Sequence, residues 1–247
     1  MKPAASSFGV LKVQKTVSII IPAFNEEGNI VAAANSVIRA VSGLVEDYEI
    51  ILIDDGSTDG TGKMADGLAA KNPKIKAVHN GQNQGFGYSY RRGVELAQKH
   101  YLTVFPGDND MDASILTRLI TESSLADVIT SYPVNNRDRT FFRRTVSRLF
   151  VGLMNGVSRL NLRYYNGAFI AETTLVRSLK LHSNGLTVLA ECMVKLIKAG
   201  HSYRQIPLKH TGRKAEKSKA LTLKNLKQTA VFMLLLVRDI YFPKSPC

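Results

Sequence analysis

The chain has 247 residues, enough for one large α/β domain or a domain with an appendage. Two cysteines, Cys192 and Cys247, are too few for a disulfide framework, and their spacing does not fit a zinc site. Residues 1–15 lack the apolar segment of a secretory signal. We therefore expect a cytoplasmic protein. The net charge of +13 is uneven, because residues 1–136 carry 12 Lys and Arg against 15 Asp and Glu, whereas residues 137–247 carry 21 against 5. The basic half would attract nucleic acid, anionic lipid headgroups or phosphorylated substrates.

Strand, loop and helix patterns alternate through the first half of the chain. Short apolar runs rich in β-branched residues predict buried strands at 17–22, 48–53, 75–78 and 101–105. The first predicted helix has its apolar side chains on one face, and the next two run through residue 70 and through about residue 99. Successive βα units predict a mostly parallel α/β sheet flanked by helices, in which ligands bind beyond the carboxyl ends of the strands.

Each of these strands ends in a polar loop. The acidic and amide side chains that the loops bring to that edge are Glu26, Asp54, Asp55, Asn83, Asp108 and Asp110. A simpler interpretation exists for each loop, because residues 54–57 fit a turn with a helix cap and residues 83–85 fit an ordinary loop. Their common position at one edge favours a binding crevice.

The fourth strand ends in three carboxylates at alternate positions, Asp108, Asp110 and Asp112. Beside Gly107, which lets the backbone turn, they can converge on one hard cation. The alternative is a solvated acidic turn that caps the next helix. No P-loop or dinucleotide fingerprint is present, so a bound diphosphate would need another source of positive charge, which a divalent cation supplies.

Four segments resemble, in the same order, the motifs of the family 2 inverting glycosyltransferases with the GT-A (Rossmann-like) fold: VSIIIPAFNEE at 17–27, IILIDDGSTDGT at 50–61, NQG at 83–85 and GDND at 107–110. The resemblance covers roughly residues 15–130 and implies a nucleotide-sugar donor. It implies a nucleoside pocket lined by Pro22, Phe24, Glu26, Asp54 and Asp55, with Asn83 also on the donor. Asp108, Asn109 and Asp110 would form the D-x-D motif that holds Mg²⁺ or Mn²⁺ on the diphosphate, with Asp112 as a further ligand. Phe24 stands where the family usually has Tyr, so a hydroxyl contact is lost.

The C-terminal half resembles the polyprenyl-phosphate sugar synthases, such as dolichol-phosphate mannose synthase. Residues 127–132 and 203–208 read as strands, and between them an arginine-rich segment opens an apolar-periodic helix. The resemblance implies that Arg143, Ser147 and Ser218 hold an acceptor phosphate. Arg213 and Lys219, in a basic loop, would act with Asp110 in catalysis by stabilising the leaving diphosphate.

Two positions depart from that pattern. Glu216 occupies the place of a glycine in the late loop, and residues 164–169 lack an arginine that many relatives have. A solvated or nucleic-acid-facing surface is the alternative for the arginine helix. Because aromatic-rich basic patches are absent from the sequence, we expect no nucleic-acid partner.

Residues 221–242 include an apolar run, 230–237, that is much shorter than the about 20 residues a spanning helix needs. This segment either packs on the domain or lies in the interface of an anionic membrane. We therefore divide the chain into a tail (1–15), a GT-A domain (16–220) and a C-terminal amphipathic helix (221–247). Residues 16–130 would bind the nucleotide sugar and residues 131–220 the acceptor.

These features predict a metal-dependent inverting glycosyltransferase on the cytoplasmic face of a membrane. It would move a hexose from a GDP- or UDP-linked donor to a polyprenyl phosphate, whose phosphate needs no general base. A hydroxyl of a polysaccharide or glycolipid is the alternative acceptor and would need a carboxylate base, for which Glu191 is a candidate, although a structural role in helix 186–198 fits it equally. A non-catalytic nucleotide-sensing or nucleic-acid-binding module on the same fold is the alternative of another class.

Overall fold

The computed structural model describes residues 13–134, 141–208 and 223–242. The strands are β1 (Val13–Ala23), β2 (Val45–Asp54), β3 (Ile75–His79), β4 (Tyr101–Val104), β5 (Val128–Pro133), β6 (Phe169–Glu172) and β7 (Tyr203–Leu208). The helices are α1 (Ile30–Val41), α2 (Thr61–Lys71), α3 (Phe86–Leu96), α4 (Ser114–Glu122), α5 (Phe141–Ser158), α6 (Thr173–Arg177), α7 (Val188–Lys198) and α8 (Leu223–Tyr241).

Seven strands of the described residues form one sheet in the order β3-β2-β1-β4-β6-β5-β7. Strand β6 is antiparallel to both of its neighbours, and the other pairs are parallel. The mostly parallel α/β sheet that the sequence predicts is therefore confirmed. The chain adds β2 and β3 on one side of β1 and β4 on the other, so the strand order reverses at β1, where open α/β sheets bind ligands.

Strand β1 is buried on both faces because its isoleucines point alternately to the two sides of the sheet. Ile19 and Ile21 belong to a hydrophobic cluster with residues of α1, α2 and α4. Ile20 belongs to a second cluster with α3 and α5 to α8. Burial on both faces is why this strand reads as a continuous apolar run rather than an alternating one.

Two boundaries differ from the sequence prediction for identifiable reasons. Strand β1 begins at Val13, inside the predicted tail, and the ammonium of Lys15 ties its start to α4 by donating to Ile120 O (3.2 Å) and Ser123 Oγ (2.7 Å). Helix α3 ends at Leu96 instead of near residue 99. The helix stops there because the next backbone groups bond to β2 instead. The N–H of Gln98 donates to the buried carboxylate of Glu49 in β2 at 2.6 Å.

Strand β6 and the short helix α6 were not predicted. Gly167 brings the chain to β5, since a Cβ at this position would lie 2.0 Å from Ser131 O. The N–H of Ser131 then donates to Ala168 O at 3.0 Å, and the buried residues that follow form β6 between β4 and β5.

The predicted C-terminal helix is present as α8. Phe232 and Leu236 pack in the second hydrophobic cluster, whereas Val231 and Leu234 are exposed. Every helix in the described part of the chain is too short or too polar to span a bilayer.

Candidate functional site

The carboxyl ends of β1, β2 and β3 form a row, and the chain after β4 continues it. Asp54 is paired with Ala23 on one side and with His79 on the other. On the far side of β1, the N–H of Gly107 donates to Pro22 O at 3.2 Å. The loops that begin at Asp54 and Gly107 therefore flank the end of β1, as the sequence predicts.

Asp54 is buried at the end of β2 and is held by two neighbours. Its Oδ1 accepts a hydrogen bond from Ser57 N at 3.0 Å, and its Oδ2 lies 2.9 Å from His79 Nδ1. Burial would raise the pKa of the Asp54 carboxyl, but the hydrogen bonds from Ser57 and His79 outweigh it and hold the pKa below its ordinary value. Asp54 is therefore a charged anchor for this loop.

Asp55 is buried as well, and its carboxylate accepts three hydrogen bonds. The donors are Asn80 Nδ2 at 2.7 Å, Gln84 N at 3.1 Å and Gly85 N at 2.8 Å. These bonds hold the loop after β3 against the loop after β2. The same loop carries Asn83, whose side chain is exposed at the edge of the sheet.

The loop after β1 is joined to the loop after β2 in a similar way. Asn25 has a positive φ of 55°, and its Oδ1 accepts a hydrogen bond from Thr58 N at 2.9 Å. The N–H of Asn25 donates to Ser57 Oγ at 3.0 Å, and that of Glu26 donates to Thr61 Oγ1 at 2.7 Å. Three loops at the carboxyl edge therefore form one hydrogen-bonded unit.

The predicted nucleoside-pocket residues of the first loop differ in exposure. Pro22 is buried, whereas the ring of Phe24 is exposed at the edge of the sheet. The carboxylate of Glu26 accepts a hydrogen bond from Asn29 Nδ2 at 2.8 Å. Phe24 therefore offers an apolar face to a ligand, while Pro22 supports the end of β1 from within.

The turn after β4 places the predicted D-x-D residues next to this unit. A Cβ at Gly107 would lie 2.8 Å from Pro22 O, so only glycine lets the turn approach β1 this closely. Asn109 has a φ of 54°, and its left-handed backbone lets Asp110 N donate to Asp108 Oδ1 at 3.0 Å. Asp108 and Asp110 therefore lie on the same tight turn.

Asp112, the third predicted ligand, contacts the helix that follows. Its Oδ1 accepts a hydrogen bond from Ser114 N at 2.9 Å, at the start of α4, which is the capping role that the sequence left open. Among the described residues, no three His, Cys, Asp or Glu side chains are grouped so that they could hold a metal. The two carboxylates of the turn still fit a hard cation, because Mg²⁺ is commonly bound by one or two carboxylates, with water and substrate phosphates as its other ligands.

A loop from the second half of the chain, residues 182–187, packs against α3 next to Gly85. The N–H of Gly87 donates to Asn184 O at 2.8 Å, and the guanidinium of Arg91 donates to Ser183 O and to Asn184 Oδ1. A Cβ at Gly87 would lie 2.3 Å from Ser183 O. The two halves of the chain therefore meet in close backbone contact beside the loop that Asp55 holds.

Glu191 holds this second-half loop from below. Its buried carboxylate accepts hydrogen bonds from His182 N at 3.0 Å and Ser183 N at 2.9 Å, and Lys195 Nζ lies 2.8 Å away. The carboxylate is thus surrounded by donors from its own chain. This geometry matches the structural role that the sequence allowed for Glu191.

The predicted acceptor residues are only partly described. Arg143 lies in the first turn of α5, and Ser147, one turn later, is half-buried. Arg213, Ser218 and Lys219 lie outside the described residues, so their roles stay predictions.

Sequence reasoning missed four uncharged residues and one arginine that organise the site. Asn25, Ser57 and Thr61 join the first two loops, and Asn80 anchors the third. Asn25 stands directly before the acidic pair of the first motif, where a polar residue that tolerates a left-handed backbone was a usable signal. Arg91 had no such signal, because its partners are about 90 residues away.

Comparison with known proteins agrees with this geometry. A family model described as "Glycosyl transferase family 2" matches residues 18–183. Undecaprenyl-phosphate 4-deoxy-4-formamido-L-arabinose transferase from Aeromonas hydrophila is 31% identical over 136 residues, which are 55% of this chain and 42% of the relative. The enzyme of the same name from Edwardsiella ictaluri is 25% identical over 214 residues, which are 84% of this chain and 64% of the relative. The chain spans less than two thirds of the length of these relatives.

Solved structures share the fold. Glucosyl-3-phosphoglycerate synthase from Mycobacterium tuberculosis, in complex with phosphoglyceric acid, superposes with a TM-score of 0.70 at 20% identity, covering 94% of this chain and 82% of that one. A structure of the same enzyme with Mn²⁺, UDP and glucosyl-3-phosphoglycerate gives a TM-score of 0.67 at 21% identity. These neighbours confirm the predicted GT-A fold. Because the family model also matches well over half of the sequence, the chain belongs to glycosyltransferase family 2.

Proposed function

We propose that this chain is a metal-dependent inverting glycosyltransferase that moves a hexose from a nucleotide-diphosphate sugar to a polyprenyl phosphate. The observation that carries the proposal is the position of two acidic loops, one with Asp54 and Asp55 and one with Asp108 and Asp110, on either side of the end of β1. That is the point where the strand order reverses, and a nucleotide with a metal-bound diphosphate fits there.

The donor's nucleoside would lie over the hydrogen-bonded loops. Phe24 offers a ring for an apolar contact, and Asn83 offers an exposed amide. Asp54, Asp55 and Glu26 would shape the pocket by holding its loops, while Pro22 supports it from within. The pocket is thus formed by the residues that the sequence predicts. The buried carboxylates of Asp54 and Asp55 would fix its loops rather than contact the nucleoside.

Asp108 and Asp110 would hold Mg²⁺ or Mn²⁺, with Asn109 setting the backbone between them. When bound, the cation would neutralise the charge of the leaving diphosphate. The sequence has no P-loop that could do this instead. A neighbour of the same fold contains Mn²⁺ with UDP, which supports a cation in this role. Asp112 caps α4 and would contribute less.

The acceptor is proposed to be a phosphate monoester. One of its oxygens would attack the anomeric carbon from the face opposite the nucleoside diphosphate, forming the new C–O bond as the bond to the diphosphate breaks, which inverts the anomeric centre. Such an oxygen is already anionic at neutral pH and needs no general base. The hydrogen bonds around Glu191 favour this acceptor over a hydroxyl, because the carboxylate is committed to the 182–183 backbone and to Lys195.

The arginine-rich half would hold that acceptor. Arg143 and Ser147 on α5, with Ser218, would bind the phosphate, and Arg213 and Lys219 would add positive charge at the leaving diphosphate. Two relatives carry undecaprenyl-phosphate in their names, which supports a polyprenyl acceptor. Such an acceptor would place the enzyme on the cytoplasmic face of a membrane. Residues 16–220 would form the catalytic domain, and residues 221–247 would form an amphipathic helix attached to it.

Calorimetric titration with GDP and with UDP, each with and without Mn²⁺, tests the donor site. We expect manganese-dependent binding of one nucleotide, and its loss in Asp110→Asn. Transfer from the matching nucleotide sugar is then measured with undecaprenyl phosphate and with the corresponding free alcohol as acceptors. A folded protein that binds neither nucleotide would overturn the proposal, and transfer to the alcohol alone would replace the phosphate acceptor with a hydroxyl.

A further inference from the structure

The solvent-facing side of α5 is unusual for a helix on a protein surface. Within residues 144–158, the exposed positions are Arg148, Leu149, Gly152, Leu153 and Gly156, which recur at helical spacing along one stripe. Leu149 is 69% exposed. A helix that faces only water normally carries charged and polar residues on this side, whereas the stripe over residues 144–158 carries two leucines and two glycines beside Arg148.

Helix α8 repeats the pattern. Phe232 and Leu236 point into the second hydrophobic cluster, and the opposite side exposes Val231 and Leu234, the latter to 72%. Further along the same helix, Arg238 and Tyr241 are exposed. The helix is therefore apolar on both sides, although only one side has a partner within the described residues.

The two helices form one unit. Tyr241 Oη donates to Val157 O at 2.7 Å, and the guanidinium of Arg159 lies 5.7 Å from the ring centre of Tyr241. Met154 of α5 and Phe232 of α8 also belong to the same hydrophobic cluster. The exposed apolar side chains of both helices are therefore carried on neighbouring elements of one body.

The charge around these side chains has one sign. Residues 141–168 contain five arginines and no Asp or Glu. The acid of α8, Asp239, is already paired, since its carboxylate lies 2.8 Å from both Lys195 Nζ and Arg238 Nη2. Exposed apolar groups among arginines, without a free carboxylate nearby in the sequence, complement an anionic lipid surface better than the mixed charges of a typical protein partner.

We propose that an α5–α8 surface, made of Arg148, Leu149, Leu153, Val231, Leu234 and Arg238, docks onto an anionic lipid bilayer. The leucines and the valine would enter the boundary between headgroups and acyl chains. Arg148 would meet the phosphates of the headgroups, and Arg238, which already lies 2.8 Å from Asp239, would add a weaker attraction. The contact we propose is a peripheral one, made by side chains that enter the headgroup region. This inference rests on the proposed function in that it brings a lipid acceptor to the enzyme, but the binding itself requires no transfer.

The surface is also connected to the candidate site. Asp239 of α8 pairs with Lys195, which pairs with Glu191, and Glu191 holds the 182–183 backbone against α3. The proposed docking surface and the loop beside the donor pocket are therefore joined by one chain of ion pairs and hydrogen bonds.

Vesicle sedimentation of the full chain tests the surface. The probes are phosphatidylcholine vesicles and vesicles that also contain phosphatidylglycerol, with no nucleotide or acceptor present. We expect binding to the anionic vesicles that weakens as salt is raised, because the headgroup attraction is screened. The double variant Leu149→Glu with Leu234→Glu should bind at least about tenfold more weakly, since two apolar contacts are lost and two like charges are added.

Leu125→Glu is the matched control, because Leu125 is 58% exposed and lies between α4 and β5, outside the surface. It should bind as the wild type does. The proposal would be overturned if the double variant bound anionic vesicles as tightly as the wild type. It would also be overturned if the wild type were a dimer that the double variant dissociates, because the surface would then be a contact between copies.

Two further measurements separate this inference from the proposed function. The variants must retain the wild-type urea midpoint and nucleotide titration, so that a loss of vesicle binding is not a loss of fold. Vesicle binding by a wild type that fails to glycosylate undecaprenyl phosphate would remove the proposed function and keep the surface. Transfer in detergent by a protein that does not bind anionic vesicles would remove the surface and keep the function.

Discussion

Lys195 Nζ lies 2.8 Å from Asp239 Oδ2, and this ion pair fastens α8 to α7. The same ammonium lies 2.8 Å from Glu191 Oε1 and donates to Lys180 O at 2.6 Å. One lysine therefore joins the C-terminal helix, the α7 carboxylate and the chain that leads into the 182–187 loop. Removing it leaves two carboxylates with fewer partners in a mostly buried place.

Lys195→Met should lower the free energy of unfolding by about 2–4 kcal/mol, because a buried carboxylate without its cation is costly. Urea denaturation followed by circular dichroism measures it. Lys198→Met, three residues on and exposed, is the control and should change stability by less than about 0.5 kcal/mol. Equal effects of the two substitutions would mean that the ion pair contributes nothing beyond an ordinary surface charge.

Glu191→Gln separates a structural carboxylate from a catalytic base. An amide can still accept from the N–H of Ser183, but it loses the charge that faces Lys195, so we expect a loss of about 1–3 kcal/mol in stability. The kcat of the folded variant should fall less than about tenfold, whereas removal of a general base typically costs a factor of about 10²–10⁴. Steady-state kinetics at a temperature well below the variant's midpoint decides between them. Unchanged stability with a thousandfold lower kcat would reverse the assignment.

The acidic turn offers a paired test. Asp110→Asn should weaken manganese-dependent nucleotide binding by at least about tenfold, because a charged oxygen ligand is lost. Asp112→Ala should leave that binding nearly unchanged and lower stability by about 1 kcal/mol, because Asp112 caps α4 through Ser114 N. Titration calorimetry and urea denaturation of both variants give the two readouts. Loss of manganese dependence in Asp112→Ala would restore it as a metal ligand.

Patterns that are local in the sequence were sufficient for the first half of the fold. Strands β1 and β2 are continuous apolar runs because both of their faces are buried, and that pattern is visible without a structure. Strand β6 could not be predicted, because it has four residues and its pairing with β5 depends on the close approach of Gly167 to Ser131. Short strands that are inserted from a distant part of the chain leave little periodicity to read.

The site shows the same division. The positions of Asp54 and Asp55 follow from the end of β2, but their partners His79 and Asn80 are each 25 residues away along the chain. Likewise, three alternating carboxylates suggest one cation, but their spacing does not reveal that Asp112 also accepts a hydrogen bond at the start of α4. Such roles depend on backbone dihedrals, such as the left-handed Asn109, that residue spacing does not encode.

Gly87→Ala tests whether the contact between the two halves of the chain is needed. The new Cβ would lie 2.3 Å from Ser183 O and 2.8 Å from Gly185 O, which are backbone atoms that cannot rotate away. We expect a loss of about 1–3 kcal/mol in stability and weaker donor binding, because the 80–85 loop shifts with α3. Gly67→Ala is the control: it lies within α2 with nothing within 4 Å of the added Cβ, and it should stabilise by about 0.5–1 kcal/mol. Similar effects of both changes would show that the close approach is relaxed in solution.

The bridge between Asp54 and His79 should make stability depend on pH. The hydrogen bond to Asp54, and then that to Asp66, raise the pKa of His79 above its ordinary value of 6.5, while Asp54 has a pKa below 3.8. A histidine whose pKa is raised in the folded protein contributes its full stabilisation below pH 6.5. It loses this contribution as the pH rises through its pKa in the folded protein. Asp54 contributes above 3.8 and loses its contribution as the pH falls through its own lower value.

The wild type should therefore be more stable than His79→Asn, most clearly between pH 3.8 and pH 6.5, the ordinary pKa values of the two groups. This difference in stability should shrink in mildly alkaline buffer. The effect should be modest, because the imidazole is 41% exposed and solvent screens the pair. Urea denaturation of both proteins in acetate and in bicine buffers measures it. An excess of the same size in both buffers would mean that the imidazole stays neutral throughout and that Asp54 is anchored by hydrogen bonding alone.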